Sequence, residues 1–166
     1  FKGVKGKIDP RIVLQTWAKL PKYWLTSLRG CLIGCWMGIT PGGAPPASFM
    51  SYGMARRMSQ DRDSFGNGNI EGVIAPETAA HAAGTSALLP MLTLGIPGSP
   101  TAAVLLGGLL IWGLQPGPLL FVEKKEFVWG LIASMYLGNI VGLLIVLTTV
   151  PWWAAILRIP FSIIAP

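Results

Sequence analysis

LTLGIPGSPTAAVLLGG, residues 92–108, lies in the middle of a run of 45 residues, 78–122, that contains no Asp, Glu, Lys or Arg. At 1.5 Å per residue, a single helix of that length would extend over about 68 Å, more than twice the roughly 30 Å hydrocarbon core of a bilayer. The chain must therefore turn within this run, and the pair Pro97-Gly98 predicts where. We expect an interruption inside a membrane, which is tolerated only where protein buries the free backbone groups or a polar cavity hydrates them.

The composition favours a membrane protein over soluble classes. Hydrophobic residues make up 52% of the chain and charged residues only 12%, with a mean hydropathy of +0.56. A typical soluble domain has about 25% charged residues. The 21 Gly and 14 Pro are interleaved with Leu, Ile, Val and Trp, which is typical of membrane helices that approach closely and kink. We therefore predict an all-α membrane protein with transmembrane helices, some broken by Pro-Gly as re-entrant or discontinuous helices.

The charge pattern predicts the orientation of the first segment. Residues 1–22 contain six Lys or Arg and a single Asp, and they precede the first apolar stretch. Beside a membrane segment such a cluster indicates a cytoplasmic flank rather than a nucleic-acid site. Because Arg56 and Arg57 follow the first break, we expect that break to belong to a re-entrant hairpin. The absence of an initiator Met at Phe1 indicates a piece of a longer chain.

Five segments follow from the positions of the apolar stretches, breaks and charges. The last of them begins with the charged tetrad at residues 123–126 and continues as 31 uncharged residues, 127–157. The predicted segments are a basic cytoplasmic flank (1–22), a first broken helical element (23–58), a polar loop (59–72), a second broken helical element (73–122), and a transmembrane helix that runs to the end of the fragment (123–166).

The two breaks have similar sequences. GITPGGAPPAS, residues 38–48, and GIPGSPTAA, residues 95–103, share Gly-Ile, then Pro-Gly, then a small residue and another Pro. Paired broken segments are the sequence pattern of transporters built from repeats. Chance similarity in a Gly- and Pro-rich chain is the alternative.

The residues of the breaks predict an anion site. Ser99 is a good N-cap and Pro100 a good first helical residue, so a new helix should begin there with its free N–H groups near mid-membrane. A carboxylate at that position accepts hydrogen bonds from the backbone and from Ser99 and Thr101. Glycine lets a substrate approach the backbone closely. The predicted substrate-binding residues are Pro41, Gly42, Gly43, Gly95, Pro97, Gly98, Ser99 and Thr101.

Two ionisable residues precede the second break, Glu77 and His81, one helical turn apart. Ionisable groups in membrane segments are costly and often functional, so Glu77 is a candidate for binding the coupling cation or carrying a proton. In the alternative interpretation, Pro76 and Glu77 open a helix near the interface and the acid complements its dipole. His81 either hydrogen-bonds Glu77 or contacts the substrate, and the alternative is that it satisfies a local polar contact.

More than half of the chain resembles one transporter family. EGVIAPETAAHAAGTSALLPMLTLGIPGSPTAAVLLGGLLIWGLQPGPLLF, residues 71–121, and LIGCWMGITPGGAPPASFMSYGMARRMSQDRDSFGNG, residues 32–68, resemble the large membrane subunit of the tripartite tricarboxylate transporters, the TctA family. The order and spacing of the motifs also match. One departure is that the chain has Glu77-Thr78-Ala79-Ala80-His81 where the family pattern is Glu-Ala-Ala-Asn-Asn. Ala80 and His81 therefore replace two amide side chains.

The resemblance implies a central fragment of a multi-pass permease in the bacterial inner membrane. It implies import of citrate or another carboxylate by symport with Na⁺ or H⁺, with a periplasmic solute-binding protein and a small four-helix membrane subunit as partners. We expect no cofactor and no bound metal apart from the coupling cation. We also expect no enzymatic activity. Two alternatives from other classes are an intramembrane serine hydrolase, with Ser99 as nucleophile and His81 as base, and a structural membrane subunit that does not transport.

Overall fold

The computed structural model describes the backbone of residues 10–156 and the side-chain environments of residues 15–149. The first part of the predicted basic flank, 1–9, and the end of the last segment, 157–166, lie outside the described residues. All regular structure in the described range is helical, which confirms the all-α prediction. The helices are α1 (Pro10–Lys19), a 3₁₀ turn (Leu20–Tyr23), α2 (Trp24–Ile39), α3 (Ala44–Met58), α4 (Glu71–Ser86), α5 (Leu88–Leu94), α6 (Pro100–Ile111), α7 (Leu120–Glu123) and α8 (Lys125–Ile156).

The chain divides into two compact units, one formed by Lys19–Lys125 and the other by Phe1–Ala18 with Glu126–Pro166. The second unit contains nearly all of α8, whose residues Lys125–Thr149 have a mean hydropathy of 2.1. At 1.5 Å per residue these 25 residues cover about 38 Å, enough to cross a bilayer with tilt. Among the described residues α8 is the one helix that is long and apolar enough to do so. The 12 residues of α6 are apolar but too short.

Within the Lys19–Lys125 unit, α2 and α4 pack through small residues. Buried glycines recur at every fourth position of α2, and each faces the carbonyl oxygen of a buried alanine on α4. Both series of residue numbers increase together, so the two helices run parallel. Small residues at this spacing let helix backbones approach closely. The facing pairs are Gly30–Ala75, Gly34–Ala79 and Gly38–Ala83.

Helix α3 runs antiparallel to α4 and is attached to it by two serines. The buried Ser51 donates to the Ala75 carbonyl at 2.8 Å, and Ser48 donates to the Pro76 carbonyl at 3.1 Å. Ala47 packs further along α4, in the cluster that contains Ala83. Proline has no N–H, so Pro76 removes one helical hydrogen bond from α4. The serine bonds attach α3 to α4 at the position of this proline.

The loop between α3 and α4 is polar but anchored. Its one buried side chain is Phe65, which contacts Tyr52 of α3 edge to face with ring centroids 5.6 Å apart. At the end of the loop, the Asn69 side chain accepts from the Glu71 N–H at 2.8 Å, where α4 begins. The loop therefore holds the start of α4 in place beside the end of α3.

The α2–α4 contact predicts opposite effects for two glycine substitutions. A Cβ atom at Gly34 collides with the Ala79 carbonyl and lies 2.7 Å from the Ala82 Cβ, whereas a Cβ at Gly53 of α3 meets no atom within 4 Å. We expect Gly34→Ala to destabilise the full-length protein by about 1–3 kcal/mol, because overpacking shifts the backbone. Gly53→Ala should be neutral or stabilising by up to about 1 kcal/mol through helix propensity. Thermal unfolding in detergent measures both, and equal melting temperatures would contradict the close α2–α4 contact.

Candidate functional site

The first interruption separates α2 from α3 at residues 40–43. Helix α2 ends at Ile39, where the Thr40 hydroxyl donates to the Trp36 carbonyl at 3.0 Å. Gly43 has φ +76°, a left-handed conformation that favours glycine, and α3 begins directly after it. Pro41 and Gly42 are exposed and Gly43 is half-buried. Helix α2 thus ends before the Pro-Gly pair, and the positive φ of Gly43 turns the chain into α3.

The second interruption separates α5 from α6 at residues 95–99. Gly95 ends α5 with φ +72°. Helix α6 begins at Pro100, and the Ser99 Oγ accepts from the Ala102 N–H at 3.2 Å, which confirms the predicted N-cap. The hydroxyl hydrogen of Ser99 remains available to donate elsewhere. Among the described residues, the Thr101 N–H and hydroxyl have no hydrogen-bond partner.

The structure places the second interruption against the last turn of α2, directly before the first interruption. A Cβ atom built at the buried Gly98 lies 2.9 Å from the carbonyl oxygen of Gly38, in the last turn of α2, and 3.3 Å from the Ala87 Cβ. Parallel packing makes this possible, because α2 and α4 then end at the same end of the unit. Gly98 is therefore needed for contact with the helices. A side chain there would point into the packing, whereas its backbone N–H is a candidate donor to a substrate.

The two helix starts differ in how many donors they offer. Both Pro45 and Pro46 lie in the first turn of α3 and have no N–H. Of the first three residues of α3, only Ala44 therefore has a backbone donor. Helix α6 has only Pro100 in that position, and the backbone and hydroxyl of Thr101 remain available. No Asp, Glu, Lys, Arg or His occurs in residues 38–48 or 87–103. The interruption site is thus uncharged, and its polarity comes from helix N-termini and hydroxyls.

Glu77 and His81 contact each other but not the interruptions. The Nδ1 atom of His81 is 2.9 Å from the Glu77 carbonyl oxygen and 3.9 Å from its Oε2. The His81 side chain is 80% exposed and the Glu77 side chain is 68% exposed. Both lie on the face of α4 away from α2. No hydrogen bond or ion pair within the described part of the chain joins either residue to residues 40–43 or 95–99.

The alternative interpretation that Pro76 and Glu77 open a helix is wrong. Helix α4 begins five residues earlier, at Glu71, and contains Pro76 in its interior. The serines Ser48 and Ser51 of α3 donate to the Pro76 and Ala75 carbonyls and attach α3 to this part of α4. Glu77 therefore lies too far along α4 to complement the dipole at its N-terminus.

Ser99 and His81 do not form a nucleophile–base pair in this structure. The Ser99 Oγ hydrogen-bonds within its own helix start, and His81 hydrogen-bonds Glu77. A serine nucleophile needs its base within hydrogen-bond reach. The geometry therefore gives the hydrolase hypothesis no support.

Sequence reasoning missed the glycines of α2 that face α4. Gly30, Gly34 and Gly38 recur at every fourth position, a signal of close helix packing that is visible in the sequence. The position of their partners was not visible, because the alanines lie 45 residues further along the chain.

Comparison with known proteins identifies the family. The sequence model of the family described as "Tripartite tricarboxylate transporter TctA family" matches residues 2–166. An uncharacterized 52.8 kDa protein in the TAR-I ttuC' 3' region of Agrobacterium vitis is 38% identical over 140 residues, which cover 84% of this chain and 28% of that protein. An uncharacterized protein in the TAR-II ttuC' 3' region of Agrobacterium vitis is 38% identical over 134 residues, 80% of this chain and 55% of that protein.

The chain thus spans about a quarter and about half of the lengths of these two relatives. No solved structure matches it. The match over nearly its whole length shows that the chain belongs to the tripartite tricarboxylate transporter TctA family.

Proposed function

We propose that this chain is part of the permease subunit of a cation-coupled importer of tricarboxylates or related carboxylates in a bacterial inner membrane. The observation that carries the proposal is the packing of Gly98, in the second interruption, against the Gly38 carbonyl in the last turn of α2, next to the first interruption. Discontinuous helices typically form the substrate sites of secondary transporters. Membership of the TctA family supports the same function.

The substrate site of this proposal is the start of α6, with the turn before α3 beside it. A carboxylate there accepts hydrogen bonds from the Thr101 N–H, from its hydroxyl and from the Ser99 hydroxyl. Gly98 and Gly43 contribute backbone N–H groups, while Pro41, Gly42, Gly95 and Pro97 set the path of the backbone. Because no fixed cation is present in residues 38–48 or 87–103, the helix dipole and these donors supply all of the stabilisation.

The lengths of α2 and α3 support a re-entrant hairpin. Their 16 and 15 residues correspond to about 24 Å and about 22 Å, less than the roughly 30 Å hydrocarbon core. The hairpin carries Arg56 and Arg57 at the end of α3, near the start of α2. Under the positive-inside rule this end lies at the cytoplasmic surface, and the first interruption then lies at depth.

Coupling and assembly are the remaining parts of the proposal. Glu77 and His81 form a hydrogen-bonded pair on α4 that is available to other parts of the full-length protein. We propose that this pair senses Na⁺ or H⁺. As a tripartite system, the transporter also has a periplasmic solute-binding protein and a small four-helix membrane subunit. A serine hydrolase and a scaffold without transport activity are the competing functions.

Substitutions of Ser99 separate an anion site from a helix cap. Asn and Asp both cap helices well, so Ser99→Asn and Ser99→Asp should leave stability within about 0.5 kcal/mol of the wild type. Only Asp adds a negative charge, and we expect it to weaken carboxylate uptake at least about tenfold, since like charges at low dielectric repel strongly. Uptake of labelled citrate by the full-length transporter in proteoliposomes measures this. Equal uptake by the two variants would contradict an anion site at Ser99.

Gly98 is expected to be sensitive to a single methyl group. In Gly98→Ala the Cβ lies 2.9 Å from the Gly38 oxygen and separates the two interruptions, so uptake should fall about tenfold or more. Gly108→Ala is the matched control in α6, because its Cβ meets no atom within 4 Å. The measurement is uptake per folded transporter. Similar uptake by both variants would show that the contact between the interruptions is not needed for transport.

The proposed coupling role of Glu77 predicts a split between two transport modes. Glu77→Gln should abolish accumulation driven by an imposed Na⁺ or H⁺ gradient, because a neutral amide neither titrates nor binds a cation strongly. Substrate exchange across the membrane without a gradient should continue at about the wild-type rate. Accumulation that still follows the cation gradient in Glu77→Gln would remove Glu77 from the coupling mechanism.

A further inference from the structure

A cavity of about 320 Å³ lies at the end of the Lys19–Lys125 unit opposite the interruptions. It is enclosed by the first half of α2, the end of α3 and the start of α4. Charged and polar residues line it, including Arg29, Asp61, Glu71 and Thr26. Its volume is within the range of small-molecule sites, about 300–1,000 Å³. It shares no residue with the interruption site.

Charges of opposite sign line this cavity without pairing. The Glu71 Oε1 accepts from the Thr26 hydroxyl at 2.8 Å, which fixes the carboxylate and leaves Oε2 without a hydrogen-bond partner among the described residues. In the same part of the chain, neither Arg29 nor the Asp61 carboxylate has an ion-pair partner within 4.0 Å. One cationic and two anionic groups thus line the cavity without an ion pair between them within 4.0 Å among the described residues.

The charge balance selects the class of ligand. Arg29 contributes +1 and the two carboxylates −2, so the lining has a net charge of −1. That charge disfavours a tricarboxylate, the proposed transport substrate. A group with a cationic and an anionic end fits better, with an ammonium near Glu71 and Asp61 and a phosphate near Arg29, because guanidinium–phosphate and carboxylate–ammonium contacts are strong hydrogen bonds.

The neighbouring residues place the cavity at the level of lipid head groups. Tyr23 and Trp24 stand at the start of α2, and Trp24 is exposed. The adjacent end of α3 carries Arg56 and Arg57. Aromatic and basic residues together are typical of the membrane–water interface. Exposed Met54 and Met58 form an apolar side of the cavity along which an acyl chain can lie.

We propose that this cavity binds the head group of a zwitterionic aminophospholipid of the phosphatidylethanolamine type. The ammonium donates to Glu71 Oε2 and to Asp61, and the phosphate accepts from Arg29. The bound lipid connects α2, α3 and α4 at the end where Thr26 and Glu71 already join two of these helices. The proposal goes beyond transport and does not depend on the substrate site.

Native mass spectrometry of the full-length protein in detergent tests this proposal. The probes are phosphatidylethanolamine and phosphatidylcholine with the same acyl chains. We expect about tenfold preference for phosphatidylethanolamine, since the trimethylated ammonium of phosphatidylcholine cannot donate hydrogen bonds to the carboxylates. Equal binding of the two lipids by the wild type would overturn the proposal.

Variants locate the bound lipid. Glu71→Gln keeps an oxygen for Thr26 but removes the charge, so the preference for phosphatidylethanolamine should fall to about twofold or less. Asp61→Asn, in the loop, should reduce the preference in the same direction if Glu71→Gln does not fold. Arg29→Gln should weaken both lipids about tenfold. Arg56→Gln is the control, because Arg56 is exposed at the same end but does not line the cavity.

Two results would overturn the proposal: one would show that the lipid does not bind in this cavity, and the other that the ligand is not a lipid. If Arg56→Gln weakens binding as much as Arg29→Gln, the lipid binds by general surface charge. If glycerophosphoethanolamine, which has no acyl chains, competes at the same concentration as the lipid, the ligand is a soluble phosphoethanolamine compound. Competition by the lipid alone, together with loss of preference in the carboxylate variants, supports the proposal.

Discussion

The close contact between α2 and α4 is the constraint on which the rest of the Lys19–Lys125 unit depends. Glycine in a helix costs about 1 kcal/mol relative to alanine, and α2 has three on one face. The close van der Waals packing that glycine permits between the two helices offsets that cost. Contact at Gly30, Gly34 and Gly38 fixes both the separation and the register of α2 and α4. The register sets the two helix ends at one level, where Gly98 then packs against Gly38.

The three helices are joined differently at their two ends. At the end near the loop, polar side chains connect them, with Thr26 bonded to Glu71 and Ser51 to the Ala75 carbonyl. At the end near the interruptions, Gly98 packs against the Gly38 carbonyl, and the Ser86 hydroxyl of α4 lies against Gly38 and donates to the Gly34 carbonyl at 3.4 Å. Contacts of this kind are sensitive to the smallest added side chain but involve no charge.

Much of the local structure could be predicted from the sequence, but little of the tertiary structure could. The start of α6 followed from Ser99 and Pro100, because capping and proline geometry act within a few residues. The start of α4 did not follow from Pro76, because the helix begins at Glu71 and continues through the proline, beside which Ser48 and Ser51 of α3 bind. The prediction was that Gly98 lets a substrate approach the backbone. In the structure, a Cβ atom added at Gly98 would instead meet the Gly38 carbonyl oxygen. Such neighbours depend on helix register, which a single sequence does not contain.

Under the proposed function, the absence of charge at the interruptions bears on how the transporter releases its cargo. An Arg or Lys beside a carboxylate in a low-dielectric site would bind it strongly, and release would be slow. Helix N-termini and hydroxyls give a weaker site that needs no counter-ion. Transport sites must bind well enough to be filled and weakly enough to empty. The charged residues Arg29, Asp61 and Glu71 line the cavity at the opposite end of the unit, away from the proposed substrate site.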